Sequence, residues 1–298
     1  MPHGPWGEVP LGIMITVGNF GQRYGRLGNQ LFQLSLLFAI SQRCGYPFHL
    51  PHDGEALWEC FELDVAATGA GGGPAQLHRF DETNGSCNYD HRVFDQPDGT
   101  AYHGYFQSFR YLEDCKPELL RFLRFNVRHR ALSEATLFAC RRRYRRPLVS
   151  LHVRRGDYVQ PHVDDHWGNL VNDGYYQRAI KAIGDDVTYL VFSDDLPWCR
   201  QNLNLDLDLD LDSGRVEFAD FDEGTSLCLM AGCDVNVIAN STFSWWGAFL
   251  NRSAEVYAPG RWWREMSPPN DRQDDIVPPA WRIIPTFARA PTHGTLTR

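Results

Sequence analysis

From residue 148 onward the chain repeats one pattern, a short strand-like apolar run followed by a stretch of helical periodicity. The runs are Leu148–Val153, Val187–Phe192, Val216–Phe218, Asp234–Ala239 and Glu255–Ala258, and helical stretches lie between them at Tyr175–Ile183, Glu223–Ala231 and Thr242–Leu250. A helix between two strands carries the chain back to the start of the sheet, so successive strands run parallel and helices cover both faces. The pattern predicts an α/β domain. In such a sheet ligands bind beyond the carboxyl ends of the strands, so the residues after each run are where chemistry should be sought.

The first half is less regular. A strand is expected near Ile13–Val17, then a loop with glycines at 18, 21, 25 and 28, then a helix over about Asn29–Arg43 that Gly45-Tyr46-Pro47 ends. A Gly-rich segment, Gly69–Pro74, opens an irregular stretch to about residue 100, after which Gly104–Ser108 leads into a helical pattern near Tyr111–Leu123. Five arginines between Arg141 and Arg146, followed by Pro147, mark a composition shift. With 298 residues and about 150 per typical domain, this places a boundary there: residues 1–146 and 147–298. The arginine cluster reads as a solvated helix end near the junction, or alternatively as a contact with anionic lipid.

Composition narrows the partners. The net charge of −8 argues against an electrostatic grip on nucleic acid, and 43% apolar content with nine Trp is that of a folded chain. Eight cysteines show no C-x-x-C and no zinc-ligand spacing, so no metal is expected. The first residues resemble no export signal, and the longest apolar stretch, Leu31–Ile40, is interrupted by Gln33 and Ser35. The expectation is a cytoplasmic protein with reduced thiols and at most peripheral contact with the inner membrane.

Three expected strands end in polar residues: Val149–Asp157 contains His152, Arg154 and Arg155, Phe192 is followed by Ser193, Asp194 and Asp195, and Ala239 by Asn240, Ser241 and Thr242. Alternation puts Ser150, His152 and Arg154 on one strand face. Arginine forks match phosphate oxygens, and a helix start flanked by Ser and Thr offers backbone N–H groups to an anion. A carboxylate adds selectivity by accepting from a guanine edge or a ribose. The ligand this suggests is a nucleotide diphosphate. Each cluster also has an ordinary structural reading, as a salt-bridged turn or a helix cap. The Gly25–Gln30 loop fits neither G-x-G-x-x-G nor the Walker spacing.

Taken together, Gly25-Arg-Leu-Gly-Asn-Gln-Leu-Phe-Gln33, Gly104-Tyr-Phe-Gln-Ser108, His152-Val-Arg-Arg-Gly-Asp-Tyr158, Phe192-Ser-Asp-Asp195 and Asn240-Ser-Thr-Phe-Ser-Trp-Trp-Gly247 resemble the α-1,2-fucosyltransferases of glycosyltransferase family 11. The resemblance implies a GT-B-like fold, two Rossmann-like domains facing across a cleft, with residues 1–146 on the acceptor side and 147–298 binding the GDP-sugar. It implies GDP-β-L-fucose as co-substrate with no cofactor or metal, inversion at the anomeric carbon, and the 2-hydroxyl of a galactose-terminated glycan as acceptor, in surface-glycan or O-antigen biosynthesis. By the same resemblance Arg154 holds the diphosphate, with His152 and Arg155 beside it. Asp194 or Asp195 contacts the nucleoside. Asn240, Ser241, Thr242 and Ser244 line the phosphate side, and Gly28, Asn29 and Gln30 face the donor across the cleft.

Inversion needs an acceptor oxygen attacking opposite the diphosphate and a base for its proton. Asp157 is the carboxylate of the His152–Tyr158 motif and is assigned that role, although it could instead lock Arg155 or the turn. Asp164, Asp165, His162 and His166 follow within reach. The alternating segment Leu203–Asp212 contains the D-x-D spacing of metal-dependent transferases but reads as a half-buried edge strand or loop with a solvated acidic face. Two other readings are a transferase for a different GDP-sugar and a catalytically silent glycan-binding protein on the same scaffold.

Overall fold

The computed structural model describes residues 13–21, 25–51, 55–63, 78–159, 169–206, 215–252, 254–263, 273 and 275–286. In the first half β1 (Ile15–Val17), α1 (Leu27–Cys44), β2 (Phe48–His49), α2 (Glu55–Cys60), β3 (His78–Asp81) and β4 (Thr100–His103) are followed by α3 (Lys116–Phe122) and α4 (Val127–Tyr144). The second half runs β5 (Leu148–Val153), α5 (Leu170–Asp173), α6 (Tyr175–Ile183), β6 (Thr188–Ser193), α7 (Leu196–Asp206), β7 (Val216–Phe218), α8 (Glu223–Ala231), β8 (Val235–Val237), α9 (Thr242–Leu250), β9 (Glu255–Pro259) and β10 (Arg282–Ile284).

Among the described residues the strands form two sheets, one in the order β2-β1-β4-β3 and one in the order β10-β9-β8-β5-β6-β7. Every pairing is parallel. The second order starts at a central strand, winds outward through β6 and β7, then returns to β8 and winds the other way. This is the order of the dinucleotide-binding folds, and it opens a crevice where β5 and β8 diverge. All six residues of β5 are buried, as a central parallel strand covered on both faces requires.

Two helices join the halves. From Leu27 to Ser41, α1 is buried on nearly every side, so it lies inside the molecule rather than on its surface. Against it packs α9, whose Trp245 and Trp246 are fully buried with ring centroids 4.5 and 5.1 Å from that of Phe32. Gly247 permits the α8 contact, since a Cβ there would sit 2.7 Å from that of Met230. Beneath them, buried Asn236 donates to Ser150 Oγ (2.6 Å) and to the Met230 carbonyl (2.8 Å), while Asn251 Nδ2 reaches Asn236 Oδ1 (3.1 Å) and the Cys233 carbonyl (2.7 Å). These amides tie β5, β8, α8 and α9 into one polar network.

Two expectations change. The helical pattern at Tyr111–Leu123 is broken into 3-10 turns at Phe109–Tyr111 and Glu113–Cys115 before α3 begins. Pro117 sits in the first turn of α3, where its missing N–H costs nothing. The Leu-Asp segment starts as helix, not as strand or loop, because α7 runs on through Asp206; Asp195 Oδ1 accepts from Trp198 N (3.1 Å) and starts that helix, and extending a formed helix is cheaper than stopping it for a new element. The rest of that segment and Gly69–Pro74 lie outside the described residues. The 141–146 arginines are exposed at the end of α4, as the helix-end reading expects, and Arg141 pairs there with Asp234, Arg143 with Glu217 and Arg146 with Asp186.

Candidate active site

The carboxyl ends of both sheets face one cavity of about 470 Å³. Arg154 follows β5, Asp194 follows β6, Asp220 follows β7, and Asn240–Thr242 follow β8. Tyr105 and Gln107 follow β4 of the other sheet. The cavity thus opens at the crevice that the strand order predicts.

Arg154 is held by Asp194, Nη1 to Oδ2 at 2.6 Å, and its guanidinium carbon lies 5.3 Å from the centre of the Tyr158 ring. Asp194 also accepts from the Arg155 backbone N–H (2.9 Å). The turn between them needs a glycine: Gly156 has φ +21°, and a Cβ there would lie 2.4 Å from Asp194 Oδ2. Beside Arg154, His152 is buried, and its Nδ1 has no hydrogen-bond partner among the described residues. Burial is the main reason its pKa is pushed down to about 3; Asp194 opposes that shift, and Arg154 adds to it. The imidazole is therefore neutral at physiological pH.

A pair of helix starts lines the same cavity. Arg26 precedes α1 and Ser241 precedes α9, both in extended backbone and neither capping its helix with its side chain. The two starts touch, since a Cβ on Gly28 would fall 2.5 Å from Thr242 Oγ1 and 2.7 Å from the Phe243 nitrogen. Asn29 Oδ1 accepts from Thr242 Oγ1 (2.9 Å) and from Gln107 Nε2 (3.0 Å), which joins three of the sequence motifs at one atom. The first-turn N–H groups and the partial positive charge of two helix ends make this wall suited to an anion. Arg26 and Glu223, both on the cavity wall, pair with each other.

The structure brings together His152, Arg154, Gly28, Asn29, Asp194, Asn240, Ser241 and Thr242 around the cavity. It does not bring four others to it. Gln30 is buried and donates to the Gly25 carbonyl (3.1 Å), holding the loop. Arg155 stacks 3.6 Å over Trp198 and reaches Asp195 (3.2 Å), and Asp195 caps α7. Ser244 accepts from the Ala239 N–H (3.2 Å) and so pins the β8–α9 turn. In each case a nearby partner takes up the side chain, a backbone group for Gln30, Asp195 and Ser244 and two side chains for Arg155. The Asp157 side chain and the 160–168 loop with His162, Asp164, Asp165 and His166 lie outside the described residues.

Sequence reasoning gave no role to Gln107, Tyr105, Asp220 or Glu223, all of which line the cavity. The first two lie in the Gly104–Ser108 motif and were available from it; Asp220 and Glu223 follow the Val216–Phe218 run, whose bounds were legible, but belong to none of the quoted motifs.

Comparison with known proteins agrees with this geometry. The family described as Glycosyl transferase family 11 matches residues 86–284, about two thirds of the chain. The chain belongs to that family. Its relatives include the O-antigen biosynthesis glycosyltransferase WbnK of Escherichia coli, 39% identical over 121 residues, covering 38% of each chain. An alpha-1,2-colitosyltransferase of Escherichia coli is 31% identical over 155 residues, 49% of this chain and 50% of the relative. The galactoside alpha-(1,2)-fucosyltransferase 2 of Oryctolagus cuniculus is 27% identical over 260 residues, 84% of this chain and 71% of the relative. The chain therefore spans half or less of the length of the two bacterial relatives. Among solved structures, fucosyltransferase NodZ from Bradyrhizobium aligns with TM-score 0.50 at 14% identity, covering 80% of this chain and 92% of NodZ. POFUT1 in its apo form aligns with TM-score 0.50 at 16% identity, covering 84% and 99%. The family 11 chain shares with them the GT-B fold. No helix among its described residues is long and apolar enough to cross a membrane.

Proposed function

We propose that the protein transfers L-fucose from GDP-β-L-fucose to the 2-hydroxyl of a terminal galactoside, with inversion and without a metal ion, on a surface-glycan precursor. The observation that carries this reading is that Arg154 lines one cavity together with two helix starts that their own N-cap side chains leave uncapped. The fucosyl and galactoside parts are supported by the name of the rabbit relative. In this reading residues 147–298 bind the donor and residues 1–146 the acceptor.

The chemistry needs two charges managed. As the bond between C1 of fucose and the diphosphate oxygen breaks, its electron pair passes to the leaving group. Arg154 and the N–H groups of Leu27, Gly28 and Thr242–Ser244 stabilise that growing charge, the part a metal takes in other transferases. Neutral His152 lies beside the same site without adding a charge to be neutralised. The acceptor oxygen closes on C1 from the opposite face, and its proton passes to a carboxylate, which we assign to Asp157. Replacing Asp157 by Asn tests this: a variant that folds, binds GDP and turns over at the wild-type rate moves the base elsewhere, with Asp220 on the cavity wall next in line.

Donor choice decides the whole reading. Incubation with a galactoside and GDP-fucose, GDP-mannose or UDP-galactose, with and without EDTA, should give fucose transfer that survives chelation. NMR of the product should show an α-(1,2) linkage. Loss of transfer on chelation would remove the metal-free mechanism, and binding without turnover in every mixture would favour a silent scaffold. The colitosyltransferase relative supports a second reading, transfer of a different deoxysugar, which transfer from such a donor alone would establish.

A further inference from the structure

The Gly104–Ser108 turn is held far more tightly than a surface loop requires. Glu82 accepts from the backbone N–H groups of both Tyr105 (2.7 Å) and Phe106 (2.9 Å). Buried Gln33 donates to the Gly104 carbonyl (2.7 Å), and Asn19 Oδ1 accepts from the Gly104 N–H (2.9 Å). Gln107 N donates to the Ser86 carbonyl (2.6 Å). No side chain fits at Gly104, where a Cβ would stand 2.4 Å from Glu82 Cβ. Phe106 is bent into the left-handed region at φ 53°, which costs a non-glycine residue about 1–3 kcal/mol. Its buried ring is kept in place by Tyr102 and Tyr111, with centroids 6.2 and 6.3 Å away.

What this construction presents is Tyr105. The residue is 37% exposed, and it lines the cavity from the end of β4, in the sheet that does not carry Arg154. A strained, over-determined turn that holds one large ring at the edge of a cavity is a recognition device rather than a packing solution. A pyranose such as galactose has one face of C–H groups and one of hydroxyls, and its apolar face stacks on an aromatic ring while the hydroxyls stay turned to polar partners.

We propose that Tyr105 is the stacking platform for the acceptor sugar and that Glu82 is its positioning residue. This rests on the glycosyl-transfer reading above. It adds that acceptor affinity comes from the ring face at β4's end, separately from the phosphate grip around Arg154.

The test measures initial rates against galactoside concentration at saturating GDP-fucose. Alongside it, saturation-transfer NMR follows the galactoside with no donor present. Tyr105→Ala should raise the acceptor KM at least about tenfold while kcat and the Kd for GDP each stay within about threefold, and Tyr105→Phe should keep the wild-type KM. Glu82→Gln, whose amide has one acceptor oxygen instead of two, should raise the same KM by about threefold without changing the circular dichroism spectrum. An unchanged KM in Tyr105→Ala, or a Tyr105→Phe variant as impaired as the alanine, would overturn the platform. If the wild type transfers no fucose, the transfer reading falls and the NMR arm decides the platform alone: galactoside saturation lost in Tyr105→Ala supports it, and saturation present in both or in neither refutes it.

Discussion

Arg154 and Asp194 meet at 2.6 Å with each side chain no more than one-fifth exposed, so the arginine is oriented before any ligand arrives. Charge-assisted bonds to a developing phosphate are worth about 1.4 kcal/mol or more, so Arg154→Ala should cost at least about tenfold in kcat, read from initial rates at saturating donor. Gly28→Ala should lower stability by about 1–3 kcal/mol, read by denaturant unfolding, because the new methyl meets backbone atoms of Thr242 and Phe243 that cannot swing aside. His152 gives a pH signature. Its pKa is pushed down from 6.5 to about 3 in the fold, so between those values the unfolded chain binds a proton that the native protein refuses. The stability it contributes is complete above 6.5 and falls on acidification through that window, by up to about 1.4 kcal/mol per pH unit. His152→Gln should flatten the corresponding fall in melting temperature. At this scale the sequence was legible just beyond the strand ends, where Arg154 and Asn240 reach the cavity. It misled at Gln30, Arg155, Asp195 and Ser244, because a side chain that faces a ligand and one that holds its own loop have the same donors and acceptors.

Elements were readable in proportion to how much of their surface is covered. The helices over Tyr175–Ile183, Glu223–Ala231 and Thr242–Leu250 stand where their periodicity placed them. By contrast α4 buries a single stripe, His129, Ser133 and Leu137, and gives almost no apolar pattern to read. The short strands β2 and β3 are silent for a similar reason, having two and four residues. Only the chain between them and the pairing with β1 and β4 make them strands. The arginines at the end of α4 reach acids on the second sheet and its loops, yet these pairs are half exposed. Arg143→Ala should therefore cost less than about 1 kcal/mol by thermal unfolding. The buried amide network is different in kind: Asn236→Ala would remove the donor to Ser150 Oγ, one of the donors to the Met230 carbonyl and the acceptor for Asn251, and should cost about 1–3 kcal/mol in the same measurement.

At the scale of the molecule, the parallel sheet after residue 147 could be read from strand and helix alternation, because period alone separates the two. The facing sheet could not, since its long loops dilute the pattern and its partners are far apart in the chain. Nor does any motif announce that α9, formed between β8 and β9, lies against α1. That contact merges apolar residues from both halves, Leu31 and Phe32 with Trp245, Trp246 and Phe249, into one continuous core. Halves that share a core of this kind should unfold in a single transition, with calorimetric and van't Hoff enthalpies equal. A jaw that opened for each nucleotide would have to pull those tryptophans into water at every turnover. The exposed Arg26 and Glu223, which pair on the cavity wall, can part without disturbing them, since such side-chain swings take nanoseconds.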